Sequence, residues 1–222
     1  SLKHGYPLAR TFVETWKLHE LPERASPISL ELLNALVAYS VLVQRDYLQM
    51  GTCLLLTFHC MLRIGECLNR VKGNVARSSG SALLNLGWTK GGKRRGERES
   101  VEATDVVVLA FLGDLMKRLE PGDRLFPFSY QKFNSSFHQF LLVFGLLGFN
   151  FKSHSLRRGG TTYEFRAHGS YDIICQRGRW SNARTARLYL AEATELMNAL
   201  AFSDATSKML AKHSTAFELL CA

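Results

Sequence analysis

The residues of this chain best equipped for chemistry lie between Phe151 and Leu190. There His154 and Arg157 form a His-x-x-Arg, followed by Trp180 and, nine residues later, Tyr189. A histidine can move a proton near neutral pH, an arginine fork can hold two phosphate oxygens at once, and a tyrosine hydroxyl can act as a nucleophile. Together they read as one half of a site that breaks a phosphodiester. The other half must come from earlier in the chain, where Arg63 with Glu66, and then Lys90, supply the missing charge. Each residue alone has a plainer explanation: a satisfied surface histidine, a core tryptophan, one of seven tyrosines, a structural Arg63–Glu66 pair. The order and spacing of the set carry the reading.

Composition sets the bounds. A chain of 222 residues that is 46% hydrophobic makes one domain with a real core, or one domain plus an arm. Its 28 Lys and Arg outnumber 19 Asp and Glu, giving a net charge of +9. A basic domain of this size is a candidate for polyanion binding, most often nucleic acid; a surface kept basic for solubility is the plainer alternative. The cysteines are Cys53, Cys60, Cys67, Cys175 and Cys221. An odd number without Cys-x-x-Cys pairs argues against a disulfide framework or a zinc site and fits a reducing, intracellular compartment. Cys53, Cys60 and Cys67 are seven apart and would share one helix face as part of a core stripe. No apolar run is long enough to span a membrane, and the N-terminus is no signal peptide. The opening Ser1, in place of Met, suggests a fragment of a longer protein.

Several elements must position these groups. Residues 1–27, with Pro7, Pro22 and Pro27, read as an arm or linker with a short helix over Arg10–His19. Ser29 can cap a helix carrying Leu32, Leu33, Leu36 and Val37. Tyr47–Met61 is apolar nearly all round and predicts a buried central helix, with Arg63 at its edge as a buried arginine held by Glu66. Strands are expected at Ala82–Thr89 and Glu99–Ala103. Between them, Lys90, Lys93, Arg94, Arg95 and Arg98 form a basic hairpin tip that its glycines leave free to bend along a phosphate backbone. Asp105 can cap a helix to Leu119, and Tyr130–Leu147 is a second helix whose Phe133, Phe137, Phe140 and Phe144 face the core. Ser153 is expected to cap a helix from His154 to Gly169, which puts His154 and Arg157 one turn apart beside free N–H groups. Gly159 and Gly160 allow another backbone to come close. A short helix over Tyr171–Arg177 and a Gly178-Arg179-Trp180 turn lead to a helix, capped by Ser181 or Asn182, running through Tyr189. Residues 204–222 read as a separate amphipathic helix able to fold back or to dock on a neighbouring subunit.

Taken in order, these segments resemble the catalytic domain of the tyrosine recombinases, the phage-integrase family, over roughly residues 28–200, within a domain expected to span residues 28–203. LRIGECLNRV is similar to the family's first arginine segment, WTKGG to its hairpin lysine, HSLRRGG to its His-x-x-Arg, and GRWSNARTARLYL to its His/Trp position followed by the nucleophilic tyrosine. The Gly-Arg-Trp wording is more similar to recombinases of eukaryotic mobile elements, DIRS-like or Crypton-like, than to bacterial ones. The resemblance implies an α+β fold that is mainly α-helical, with a small antiparallel sheet or hairpin. It also implies a separate N-terminal helical domain that completes a clamp round DNA. The chain has no room for that domain before residue 28, so it was either removed or is lacking.

The activity so implied is DNA cleavage and rejoining through a 3′-phosphotyrosyl link. Tyr189 would attack, and Arg63 and Arg157 would neutralise the phosphate. Lys90 would protonate the leaving 5′-oxygen, with Lys93 as fallback. His154 would take the tyrosine proton or steady the phosphate, Glu66 would support the first arginine, and Trp180 would donate its indole N–H and pack the tyrosine helix. Spacing favours Arg157 over Arg158 for the second arginine. Arg158 joins Lys93, Arg94, Arg95 and Arg98 as a DNA-binding group. Two arginines and a lysine can stand in for a metal, so no metal or other cofactor is expected. The partners implied are double-stranded DNA and three further copies of the chain, a homo-tetramer on paired sites, with no membrane. In a eukaryotic element the location would be the nucleus. A type IB topoisomerase-like nicking-closing enzyme and a catalytically idle DNA-binding module are the alternatives.

Overall fold

The computed structural model describes residues 24–43, 47–190 and 192–221. Most of the expected arm, with its helix over Arg10–His19, lies outside the described residues.

The core is built round two apolar helices. In α1 (Leu30–Val43), Ser29 Oγ accepts the Leu32 N–H at 3.1 Å, and Leu32, Leu33, Leu36 and Val37 are buried. Helix α2 (Tyr47–His59) is buried on nearly every side, including Cys53, Leu54, Leu55, Leu56 and Phe58. Cys60 and Cys67 are buried too, so the cysteine stripe is core. After α2 the chain turns through Met61, whose φ of 46° is in the left-handed region, into the short α3 (Ile64–Leu68).

A three-stranded antiparallel sheet follows: β1 (Val75–Arg77), β2 (Ala82–Gly87) and β3 (Glu99–Ala103), in the order β1-β2-β3. Leu84 pairs with Val75 on one side and Val101 on the other. Alternation puts Ala82, Leu84 and Leu86 of β2 and Glu99, Val101 and Ala103 of β3 on the buried face. The three residues of β1 carry too little pattern to be seen in the sequence. The basic connection between β2 and β3 is not the pliable tip expected. It is a helix, α4 (Lys90–Arg95), because Thr89 Oγ1 accepts the Gly92 N–H at 3.0 Å and Gly96 closes it at φ 73°.

Helix α5 (Val106–Lys117) starts where Asp105 accepts the N–H groups of Val107 and Val108, and α6 (Tyr130–Val143) buries its phenylalanine stripe as expected. Helix α7 (Ser153–His168) crosses α2 at very close range. A Cβ on Gly159 would stand 2.0 Å from the Ile28 carbonyl oxygen, and one on Gly160 would stand 2.0 Å from that of Phe58. Only glycine permits that approach, and it brings the start of α7 against the end of α2. The expected Ser153 cap is not formed. Lys152 occupies the N-cap position, and its N–H donates to Ser155 Oγ at 2.9 Å, so the serine inside the first turn reaches back instead.

Helix α8 (Tyr171–Gly178) is capped by Ser170, and α9 (Ala183–Arg187) by Asn182, one of the two residues expected for it. Helix α9 ends before Tyr189, which lies in the turn beyond it, because the Tyr189 N–H bonds back only to Ala186 O. The tyrosine helix of the expectation is therefore shorter. Two helices follow: α10 (Glu192–Leu200), unforeseen and carrying exposed Leu196, Met197 and Leu200, and α11 (Asp204–Cys221). The latter folds back on α1 and buries Leu210 and Phe217 in the core. No helix among the described residues is long and apolar enough to cross a membrane.

Candidate active site

Four of the expected site residues meet in one place. The Tyr189 ring lies 4.6 Å from that of Trp180 and 5.3 Å from that of His154, between centroids. The Arg157 guanidinium carbon sits 4.7 Å from the Trp180 centroid and 5.5 Å from that of Tyr189. Trp180 precedes α9, so it and Tyr189 converge although nine residues on one helix would face them apart. Its ring covers Gly178 so tightly that a Cβ there would come within 1.9 Å of the indole. A second buried cluster, Met61, Ile174, Trp180 and Ala186, with Tyr189 packed against it, supports this arrangement apart from the main core.

Arg157 is the most buried charge of the set, only 1% exposed. Its Nη1 donates to Met61 O at 2.5 Å and its Nη2 to Gly178 O at 2.7 Å. A buried guanidinium is tolerable only when so engaged. Both acceptors sit at strained backbone. Met61 and Arg179, the residue bonded to that Gly178 carbonyl, are the two non-glycine residues with positive φ among the described residues. Strain held by surrounding structure marks functional sites more often than ordinary turns. Burial, then the nearby Arg179 and Arg63, pull the Arg157 guanidinium down to about 9, still cationic at neutral pH. Among the described residues, its Nε and the Trp180 Nε1 are buried donors with no partner.

Arg63 corrects one expectation. It is not buried: its side chain is 38% exposed, because it is the extended N-cap residue of α3 and no part of a helix face. The pairing with Glu66 does form, at 2.6 Å from Nη1 to Oε1, with the Arg63 N–H donating to Oε2 at 2.9 Å. Arg157 Nη1 stands 3.8 Å from the same carboxylate. Burial pushes the Glu66 carboxyl up, but Arg179 and the Arg63 N–H and guanidinium outweigh it and leave it below the usual carboxylate value. Partial burial, followed by Arg157, Arg158 and Arg63, lowers the His154 pKa below that of free imidazole. His154 is thus neutral at pH 7 and able to accept a proton.

Lys90 is exposed on α4 and makes no ion pair among the described residues. Lys93, Arg94 and Arg98 are also exposed. Two cations expected on the DNA-binding surface are otherwise committed: Arg95 pairs with Glu97 and Glu99, and Arg158, 7% exposed, donates from Nη1 to Leu188 O at 2.8 Å. Among the described residues no group of His, Cys, Asp and Glu could hold a metal ion.

Two participants went unforeseen. Arg179 Nη2 donates to Glu66 Oε2 at 2.6 Å and its Nε to Glu99 Oε2 at 3.2 Å. Glu99 could have been found: strict alternation puts a charged residue on the inward face of β3, where the strand pattern calls for an apolar one. Nothing in the sequence near Arg179 distinguishes it from any other arginine in a turn.

Solved structures share this architecture. XerH site-specific recombinase, in a post-cleavage complex with palindromic difH substrate, matches with a TM-score of 0.61 and 13% identity over 77% of this chain and 50% of that one. The Tn1549 transposon integrase in complex with circular intermediate DNA gives 0.60 and 11% over 80% of this chain and 64% of that one. XerA recombinase gives 0.58 and 18% over 87% and 67%. The chain thus spans about half the length of the XerH structure. No protein-family model and no curated protein matches the sequence. A mostly helical chain with a three-stranded antiparallel sheet, it has the fold of tyrosine recombinase catalytic domains.

Proposed function

We propose that this chain is the catalytic domain of a site-specific DNA recombinase, acting through a covalent phosphotyrosyl intermediate. The observation that carries the reading is the convergence of Tyr189 with Trp180, His154 and the buried Arg157. The fold is one solved elsewhere on DNA: XerH on difH, the Tn1549 integrase on circular intermediate DNA. In the proposed step Tyr189 Oη attacks phosphorus while the bond from phosphorus to the 5′-oxygen breaks. Neutral His154 takes the phenolic proton, and Lys90 Nζ gives one to the leaving oxygen. Arg63 and Arg157 offset the charge that grows on the non-bridging oxygens. In the present conformation the Tyr189 ring covers the Arg157 guanidinium, so phosphate engagement requires that ring to move. The unpartnered Arg157 Nε–H and Trp180 Nε1–H are then the donors available. The covalent link conserves the energy of the broken bond, so rejoining needs no ATP. Exchange between two duplexes involves four tyrosines, hence four copies of the chain. The Gly178-Arg179-Trp180 segment supports an origin in a eukaryotic mobile element, which would place the protein in the nucleus.

The test is covalent capture on nicked duplexes tiled across the DNA that flanks the coding sequence. Wild-type protein is expected to form an adduct at one site, and Tyr189→Phe none, with DNA retardation nearly unchanged. Equal adduct yield from Tyr189→Phe overturns the assignment. Relaxation of supercoils with no joining of two sites would place the activity with the nicking-closing enzymes instead.

A further inference from the structure

We infer that Arg179 is a positioning residue that sets the Lys90 helix against the arginine cluster, so that the leaving oxygen meets its proton donor. The inference rests on the recombinase reading above and assigns a role to a residue outside the expected set.

Arg179 adopts φ 59°, ψ 42°, a conformation disfavoured for a side chain with a Cβ. What it gains there is a place between two carboxylates from distant segments, with its side chain 7% exposed. One carboxylate, Glu66, is the group on which Arg63 is held and beside which Arg157 stands. The other, Glu99, lies on the buried face of β3 and holds α4 at both ends. At the start of α4, Thr89 Oγ1 donates to Glu99 Oε2 at 2.5 Å while capping the helix. At its end, Arg95 pairs with Glu99. Lys90 follows Thr89 directly. One guanidinium therefore links the groups that hold the phosphate-binding arginines to those that hold the proton-donating lysine.

Stability alone is a poor explanation for this bridge. Buried ion pairs seldom outperform apolar packing of the same volume, and an apolar residue at position 99 would continue the Val101 and Ala103 face. A planar fork between two carboxylates does fix distance and direction, which packing alone fixes less sharply. Without Arg179 the carboxylates of Glu66 and Glu99 would face each other unbridged, and like charges would push the sheet away from α3. The exposed Lys90 would go with it. The step affected is proton transfer from Lys90 Nζ to the 5′-oxygen as its bond to phosphorus breaks.

The experiment compares two nicked duplexes carrying the wild-type cleavage site, one with the natural 5′-bridging oxygen and one with 5′-bridging sulfur. The sulfur leaves as a thiolate and needs no proton. With Arg179→Met in the full chain, adduct formation is expected to fall about 100-fold on oxygen, the scale of lost general-acid catalysis. It should stay within about tenfold of wild type on sulfur, the pattern of a lost proton donor. Arg179→Lys keeps the charge but cannot bridge both carboxylates; it is expected to show the same split and serves if the methionine variant does not fold. Equal losses on the two substrates overturn the inference alone, since they place Arg179 on the phosphate or in folding. Absence of wild-type adduct on both substrates overturns the recombinase reading and the inference together.

Discussion

The two halves of the site are built on opposite terms. Around Tyr189, Arg157 and Trp180 are buried and held by backbone, Arg157 by two carbonyls and Trp180 by its seat on Gly178, while His154 beside them is exposed. Around Lys90 the cations project from a six-residue helix and are exposed. The contrast follows from the work proposed for each. Groups that neutralise developing charge act best when preorganised in a water-poor setting. A lysine that must carry a proton at neutral pH loses that proton when buried. Stability and activity should therefore respond together to changes in the first half and separately in the second.

The sharpest break comes from Arg157→Met. It strands the Met61 and Gly178 carbonyls and removes the cation under the Tyr189 ring. We predict a loss of about 3 kcal/mol of unfolding free energy by denaturant titration, with adduct formation lower by roughly 100-fold or more. Unchanged stability would mean that the guanidinium is held far less firmly than its burial implies. Lys90→Ala should do the reverse. Its stability stays within about 0.5 kcal/mol of wild type, as for exposed residues, while cleavage falls about 100-fold and largely returns with 5′-bridging sulfur. Failure of sulfur to rescue would move the proton donor elsewhere, with Lys93 the next candidate on the same helix.

How much of this was legible in the sequence divides along the same line. Periodicity and caps located the starts of α1, α2, α5 and α6, because apolar faces and side-chain caps are local signals; the ends were read too long, α6 stopping at Val143 where Leu147 was expected. The pairing of Arg63 with Glu66 was also readable, since its partners lie a turn apart, and so was a close backbone approach at Gly159 and Gly160, though not which backbone would make it. What failed depends on distant partners. Arg63 was expected to be buried, yet the chain leaves the helix at Cys60 and Met61 and swings it toward solvent. The charge that is buried is Arg157, and only the fold puts the Met61 and Gly178 carbonyls beside it. The Arg179 bridge joins three segments, and no spacing encodes it. The basic tip misled because its glycines were read as freedom, whereas Thr89 turns them into a capped helix.

A smaller effect tests the coupling between packing and chemistry in the buried half. Gly160→Ala places a methyl 2.0 Å from Phe58 O, so α7 must retreat from α2. Overpacking of this kind costs about 2 kcal/mol net of the helix-propensity gain. The retreat also draws Arg157 from Met61 O, so adduct formation should drop with stability, by about tenfold. Loss of stability at full activity would show that the arginine site tolerates movement of its helix.

The finest test is the pH dependence of adduct formation. The neutral imidazole of His154 is the form that accepts a proton, so the rate should rise with pH through its pKa and then level off. Partial burial and three neighbouring guanidiniums lower that pKa, so the inflection should lie below the ordinary imidazole value of about 6.5. The same shift makes the unfolded chain bind more protons than the folded one in this range. The His154 contribution to stability therefore falls as pH drops through about 6.5. His154→Ala should remove the inflection and leave a slower, flat profile. An inflection above about 6.5 would mean that His154 works as the cation, steadying the phosphate, and that the tyrosine proton leaves by another route.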